Sequence, residues 1–238
     1  MKKFLLSLLL AASVYNLLAQ KTINDPNAEK RNVGSFHGVN VGTGIKLMLS
    51  EGATEDVVVS ADKTEYRDKI ITRVENGILK IYYDNKIGAI NSRKEKKELK
   101  AYVSYKNIDR LDANTGAEVQ IEGTLKSASL KMSVNTGAIV KGDINVDDLE
   151  VDQNTGAIVT FSGDAGKLDV HGDTGAMFKG TDLKTNNCNV SASTGAGVYI
   201  TVQKELYVKA NTGGFVRYKG EAGIRDIKTN TGGSVTRL

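Results

Sequence analysis

Seven times from residue 114 onward the chain returns to one four-residue phrase. Asn114-Thr115-Gly116-Ala117 is followed by Asn135-Thr136-Gly137-Ala138, Asn154-Thr155-Gly156-Ala157 and Asp173-Thr174-Gly175-Ala176. Ser193-Thr194-Gly195-Ala196, Asn211-Thr212-Gly213-Gly214 and Asn230-Thr231-Gly232-Gly233 complete the series, and the steps between copies are 21, 19, 19, 20, 18 and 19 residues. So even a short period describes a stack of small units, each too small to bury its own apolar face and each completed by its neighbours.

Around each phrase the apolar residues alternate with period two, which belongs to strands and not to helices. Five residues past each motif start stand Val119, Val140, Val159, Phe178, Val198, Val216 and Val235. Three residues before it stand Leu111, Met132, Val151, Val170, Val190, Val208 and Ile227. Alternation carried through Leu111, Ala113, Thr115, Ala117, Val119 and Ile121 places the Thr column inside with the small residues. Gly123, Gly142, Gly163, Gly180 and Gly220 follow the motif at a nearly constant distance, and glycine at such places predicts corners. The expected fold is therefore all-β, a single parallel β-solenoid of roughly 19-residue coils. Parallel pairing of nine or ten coils at about 4.8 Å gives a rod on the order of 45 Å long.

Upstream the pattern is looser. Val41-Gly42-Thr43-Gly44-Ile45-Lys46-Leu47 is a degenerate copy of the motif, Val57 to Ser60 has strand character, and Glu75-Asn76-Gly77 between Ile70–Val74 and Leu79–Tyr83 predicts a hairpin. Residues 35–110 are thus expected to be irregular first coils of the stack that 111–238 continues regularly, 35–238 forming one domain. Between them Asp84 to Glu98 has the alternating charge of a solvated loop. Residues 20–34 form a polar leader.

Residues 1–19 have the form of a secretory signal peptide: basic Lys2 and Lys3, the apolar run Phe4 to Ala12, and Ala19 before the expected cut. No Cys lies near that cut to carry a lipid anchor, and no segment approaches the length of a membrane span. The expected location is outside the cytoplasm, in the periplasm, at the outer surface or beyond. Without Lys2 and Lys3 the chain has 30 basic against 28 acidic residues, which is no footprint for nucleic acid. Cys188 is the single cysteine, so packing and backbone pairing must stabilise an exported chain that disulfides cannot staple. It stands where Leu130, Leu149, Leu168 and Leu206 precede their motifs, a core column.

The row Asn114, Asn135, Asn154, Asp173, Ser193, Asn211 and Asn230 is the candidate binding surface. Its structural explanation is a ladder of stacked amides; its functional one is a flat repetitive surface for a glycan or for ice. Asp169, His171 and Asp173 would project together from one strand, but no partner repeats on adjacent coils, so neither a metal site nor a catalytic set is expected. His37 and His171 are the only histidines; no nucleophile elbow, metal-spaced cluster or phosphate loop occurs, and no cofactor is implied.

Phe36-His37-Gly38-Val39-Asn40-Val41, Val57-Val58-Val59-Ser60-Ala61-Asp62 and Val74-Glu75-Asn76-Gly77-Ile78-Leu79-Lys80-Ile81, in that order before a glycine-rich repeat, resemble the head GIN domain family. That group is labelled as auto-transporter adhesins and is common in Bacteroidetes; the resemblance runs from residue 35 to the C-terminus. It implies an exported β-solenoid and brings no catalytic residues. The favoured function is a non-enzymatic, adhesin-like module for an unidentified protein or glycan at the cell envelope, with self-association of end coils also open. A carbohydrate-binding module, with Tyr199 and Tyr207 as outward stacking platforms, is the alternative. A polysaccharide-active enzyme on a β-helix is the third.

Overall fold

The alternation read from the sequence is the alternation of burial. In the computed structural model, which describes residues 25–85 and 96–238, the columns Val119 to Val216 and Leu111 to Val208 are all buried. The proposed signal peptide and most of the charged loop lie outside the described residues.

The chain forms β1 (Glu29–Arg31), β2 (Gly38–Val41), β3 (Lys46–Glu51), β4 (Asp56–Ser60), the single-turn α1 (Thr64–Arg67), β5 (Ile70–Glu75), β6 (Ile78–Tyr83), β7 (Lys100–Tyr105) and β8 (Arg110–Ala113). The regular stack follows as β9 (Glu118–Val134), β10 (Ile139–Gln153), β11 (Ile158–Gly172), β12 (Met177–Ala192), β13 (Gly197–Ala210), β14 (Phe215–Lys219), β15 (Gly223–Thr229) and β16 (Ser234–Arg237). Each long strand runs from one Asn-Thr-Gly phrase to the next and pairs in parallel with its neighbours, Val140 beside Val119 and Val159, Leu149 beside Leu130 and Leu168. The result is a parallel β-solenoid of about 7 turns with coils of about 19 residues.

One coil shows how the core is made. Val140, Ile144, Val146, Leu149 and Val151 of β10 point inward and are almost wholly buried, each contributing roughly 1.5–3 kcal/mol relative to exposure. Cys188 lies in the Leu168 and Leu206 column as expected, 2% exposed. Its Sγ sits 2.7 Å from Thr185 Oγ1, and burial pushes the thiol up to about 12.

The glycines divide into two kinds, where the sequence suggested one. Gly123, Gly163 and Gly220 have φ of 74°, 101° and 104° and turn the chain, as expected of corners. Gly142 and Gly180 do not: they fall in a core column with Ile121, Phe161, Ile200 and Tyr218. A Cβ on Gly142 would come within 2.4 Å of Ile121 Cβ, and one on Gly180 within 2.5 Å of Phe178 Cε1. They are small because their neighbours are large.

The N-terminal coils are irregular in the way expected. β2 and β3 flank a copy of the motif turn, with Thr43 at φ 54° and Gly44 at φ 70°, and lie in parallel register against β8 and β9. Asn76 and Gly77, both with positive φ, join β5 and β6 in the predicted hairpin. Antiparallel strands finish this end: β4 pairs with β7, and β1 with β4. The polar leader therefore contributes a strand of its own, Glu29–Arg31, whose charged residues suit an edge.

Candidate functional site

Each Asn-Thr-Gly phrase is a two-residue turn in left-handed backbone. Thr115, Thr136, Thr155, Thr174, Thr194, Thr212 and Thr231 have φ between 46° and 53°, and the glycines after them between 69° and 76°. The Ala117 N–H donates to the Asn114 carbonyl at 3.1 Å and Ala138 to Asn135 at 3.2 Å, which closes type I′ turns. The turns are also tied along the stack. Gly116 N–H donates to the Thr136 carbonyl at 2.9 Å, Gly137 to Thr155 at 3.0 Å, Gly156 to Thr174 at 3.0 Å and Gly175 to Thr194 at 3.0 Å.

This geometry overturns the inward Thr column. The threonines of the seven turns are exposed, and the inward positions on either side belong to residues such as Ala113 and Ala117. Two successive left-handed residues rotate the chain out of the pleat, so period two cannot be counted through the turn. The expected amide ladder is likewise replaced by a backbone ladder. Only Asn114 Nδ2 reaches another coil's amide, Asn40 Oδ1 at 3.4 Å. Asn154 Oδ1 accepts from its own turn's Thr155 N–H at 2.6 Å, and Asp173 Oδ1 from Thr174 N–H at 2.7 Å. The Thr194 hydroxyl, then the Thr174 N–H, hold the Asp173 carboxyl below its ordinary range.

Asn114, Asn135, Asn154, Asp173, Ser193, Asn211 and Asn230 thus share one corner with an exposed Thr row. Beside that corner lies a sheet whose strand path is β1-β4-β7-β3-β9-β10-β11-β12-β13-β14-β16. Its water-facing side carries two columns that sequence reasoning missed. The first is Glu118, Ile139, Ile158, Met177, Gly197, Phe215 and Ser234; the second is Gln120, Lys141, Thr160, Lys179, Tyr199, Arg217 and Thr236. The signal was present in the residue after each motif's fourth, which is apolar at Ile139, Ile158, Met177 and Phe215 although alternation turns it to solvent.

Tyr199 and Phe215 meet edge to face at 5.8 Å, and the Arg217 guanidinium stands 5.6 Å from the first ring and 5.5 Å from the second. A Cβ on Gly197 would lie 2.4 Å from Phe215 Cζ and 2.7 Å from Met177 Sδ. The ring and the Met177 sulfur therefore both lie over the bare backbone of Gly197.

Of the other candidates, Asp169 and His171 stand together and Asp173 stands apart. His171 Nε2 lies 3.5 Å from Asp169 Oδ1, and Asn189 Nδ2 is 3.3 Å from Asp169 Oδ2, while Asp173 is engaged in its turn. Among the described residues no group of three His, Cys, Asp or Glu side chains could hold a metal ion. Tyr207 faces water as expected, 43% exposed, but in the stretch of β13 that pairs with β15, apart from Tyr199. Among the described residues no helix is long and apolar enough to cross a membrane.

Solved structures share this fold at low identity. "A putative adhesin" from Bacteroides fragilis superposes with TM-score 0.77 at 16% identity, covering 89% of this chain and 96% of that one. "A putative adhesin" from Parabacteroides merdae gives 0.66 at 15%, covering 89% and 95%. A "putative lipid binding protein" from Parabacteroides distasonis gives 0.64 at 17%, covering 90% and 98%. No protein of curated function matches. Over residues 35–222 the chain fits the model of a single family. It belongs to that family, described as "Putative auto-transporter adhesin, head GIN domain".

Proposed function

We propose that this chain is an exported, non-enzymatic adhesin-like module that presents its Asn-Thr-Gly corner and the adjoining sheet face to a partner at the cell surface or envelope. Export rests on the signal-peptide form of residues 1–19. Interaction in place of catalysis is supported by the adhesin family and by the engagement of Asp173 in its own turn, away from the Asp169 and His171 pair.

The observation that carries the proposal is the strain of the Thr row. A β-branched residue is poorly suited to left-handed backbone, at a cost on the order of 1 kcal/mol at each position, whereas Asn or Gly fits it readily. Thr43 has a structural reason to be there, since its Oγ1 accepts the Tyr83 N–H at 2.7 Å. The hydroxyls of Thr115 and Thr155 reach only their own turn's Asn, each at 3.2 Å. Exposed, strained residues repeated in register are a reason to look for what they touch.

The test compares the chain with a Thr136→Glu/Thr155→Glu/Thr174→Glu variant for retention on intact envelopes and host-surface preparations. Retention by the native chain and loss in a folded variant is the expected result. Equal retention of both would return the row to a purely architectural role.

A further inference from the structure

Strands β11 to β14 carry, on their outward side, a surface chemically unlike the rest of the solenoid. Thr160 faces water from β11, Lys179 and Thr181 from β12, Tyr199 from β13, and Phe215, Arg217 and Lys219 from β14. No carboxylate stands among them. On the N-terminal side Glu118 pairs with Lys141 at 3.2 Å; carboxylates begin again where the strands reach the corner, with Asp143 accepting from Ser162 Oγ at 2.9 Å, Asp182 in register with Ser162, and Glu221 3.8 Å from the Arg237 guanidinium. Among the described residues, no ion pair involves Lys179, Arg217 or Lys219.

Three properties coincide on this patch. Cations without carboxylate partners select an anion. The Tyr199 and Phe215 rings, only partly covered, offer flat apolar surface. Thr160 and Thr181 add hydroxyl groups suited to a ligand that itself carries many hydroxyls, whereas Ser162 Oγ donates to Asp143 Oδ2 at 2.9 Å and Thr201 Oγ1 to the Thr181 carbonyl at 2.7 Å. Hydroxyls stand on β11 and β12, cations on β12 and β14 and rings on β13 and β14, so that together the three span about 15 Å, three strand spacings, the footprint of a linear ligand several units long. The aromatic cover over Gly197 accounts for Phe215 alone; it does not require Tyr199 at its edge, Arg217 over both rings, or the missing carboxylates.

We infer that this face binds a linear acidic polysaccharide, with Lys179, Arg217 and Lys219 pairing to its carboxylates and Tyr199 and Phe215 stacking against the apolar faces of its sugar rings. The inference rests on the interaction role proposed above and gives it a ligand class and an address.

The experiment titrates the chain with polygalacturonate, with the same polymer methyl-esterified, and with phosphatidylglycerol vesicles, by calorimetry and by Tyr fluorescence. The polyuronate is expected to bind, more weakly as salt rises, and the neutral ester to bind poorly. Lys179→Ala/Arg217→Ala and Tyr199→Ala are each expected to weaken binding by about tenfold or more. Lys209→Ala, on another stretch of β13, leaves it unchanged. Thermal melting confirms that each variant is folded. Equal binding of the ester, binding to vesicles but not to polyuronate, or polyuronate binding indifferent to the patch variants each overturns the inference. So does binding to none of the three. Should envelope retention still depend on the Thr row in those cases, the adhesin role stands and only the glycan assignment falls; loss of both removes both.

Discussion

Threonine in left-handed backbone is the least expected feature at the scale of single residues, and it makes a measurable claim. Thr155→Asn relieves the clash of a branched Cβ while keeping the turn, so the free energy of unfolding should rise by about 1 kcal/mol; urea denaturation reads it, and no change would mean that the strain is absorbed elsewhere. Gln153 gives a second case. It is 3% exposed, and neither Oε1 nor Nε2 has a hydrogen-bond partner. Gln153→Met removes that desolvated amide at similar volume and should stabilise by roughly 1–3 kcal/mol; a lower urea midpoint would show that the amide is satisfied in solution. The Thr row also marks where sequence reasoning stopped. Asn-Gly is a familiar left-handed pair and Asn76-Gly77 was recognised as such, but Thr-Gly is not, so alternation was carried straight through the turn and Thr115 was turned inward.

At the scale of elements, strand columns were legible because burial repeats them, whereas the role of a glycine was not. Gly163 and Gly180 look alike in sequence, and only the neighbouring Phe178 and the sign of φ separate a core position from a corner. Gly180→Val should therefore destabilise by about 1–3 kcal/mol through overpacking, as a fall in melting temperature; a neutral result would place the side chain outside the core. The edge strand β1 makes a claim about pH. Lys30 bonds the Asp56 carboxylate, and Thr54 Oγ1 donates to it at 3.0 Å. The Lys30 bond leads in lowering that carboxyl from its ordinary value of 3.8. A carboxyl whose folded value is depressed stabilises the fold above its unfolded value and loses that contribution as pH falls through the folded one. Acidification from pH 5 to below about 4 should thus loosen β1 from β4, seen as lost amide protection at Glu29 to Arg31; unchanged protection would show that backbone pairing alone holds the strand.

For the molecule as a whole, stability is shared between neighbouring coils and is uneven along the stack. Strands β9 to β13 bury their columns on both sides, while in the last coil Ile224 is 50% exposed and Ile227 37%. Hydrogen exchange should be slowest in the β9–β13 rungs and fastest in β15 and β16; uniform protection would mean that the stack opens as one unit. The architecture, the hairpin and the atypical first coils could all be read from spacing. The charged and aromatic face was harder to see, because alternation assigns its positions to solvent and only the apolar residue after each motif's fourth marks them.

The antiparallel finish at β1 and β5 also gives the solenoid a polarity. An edge strand can take a partner in either direction, as β7 does with β3 in parallel and with β4 antiparallel, but the N-terminal end presents reversed strands, and β1 carries the charges of Glu29, Lys30 and Arg31, which discourage further pairing. Head-to-tail growth into a filament, which would continue the parallel stack across that end, is disfavoured by this charged finish. Pairing of two copies through β15 and β16, by contrast, would be tail to tail.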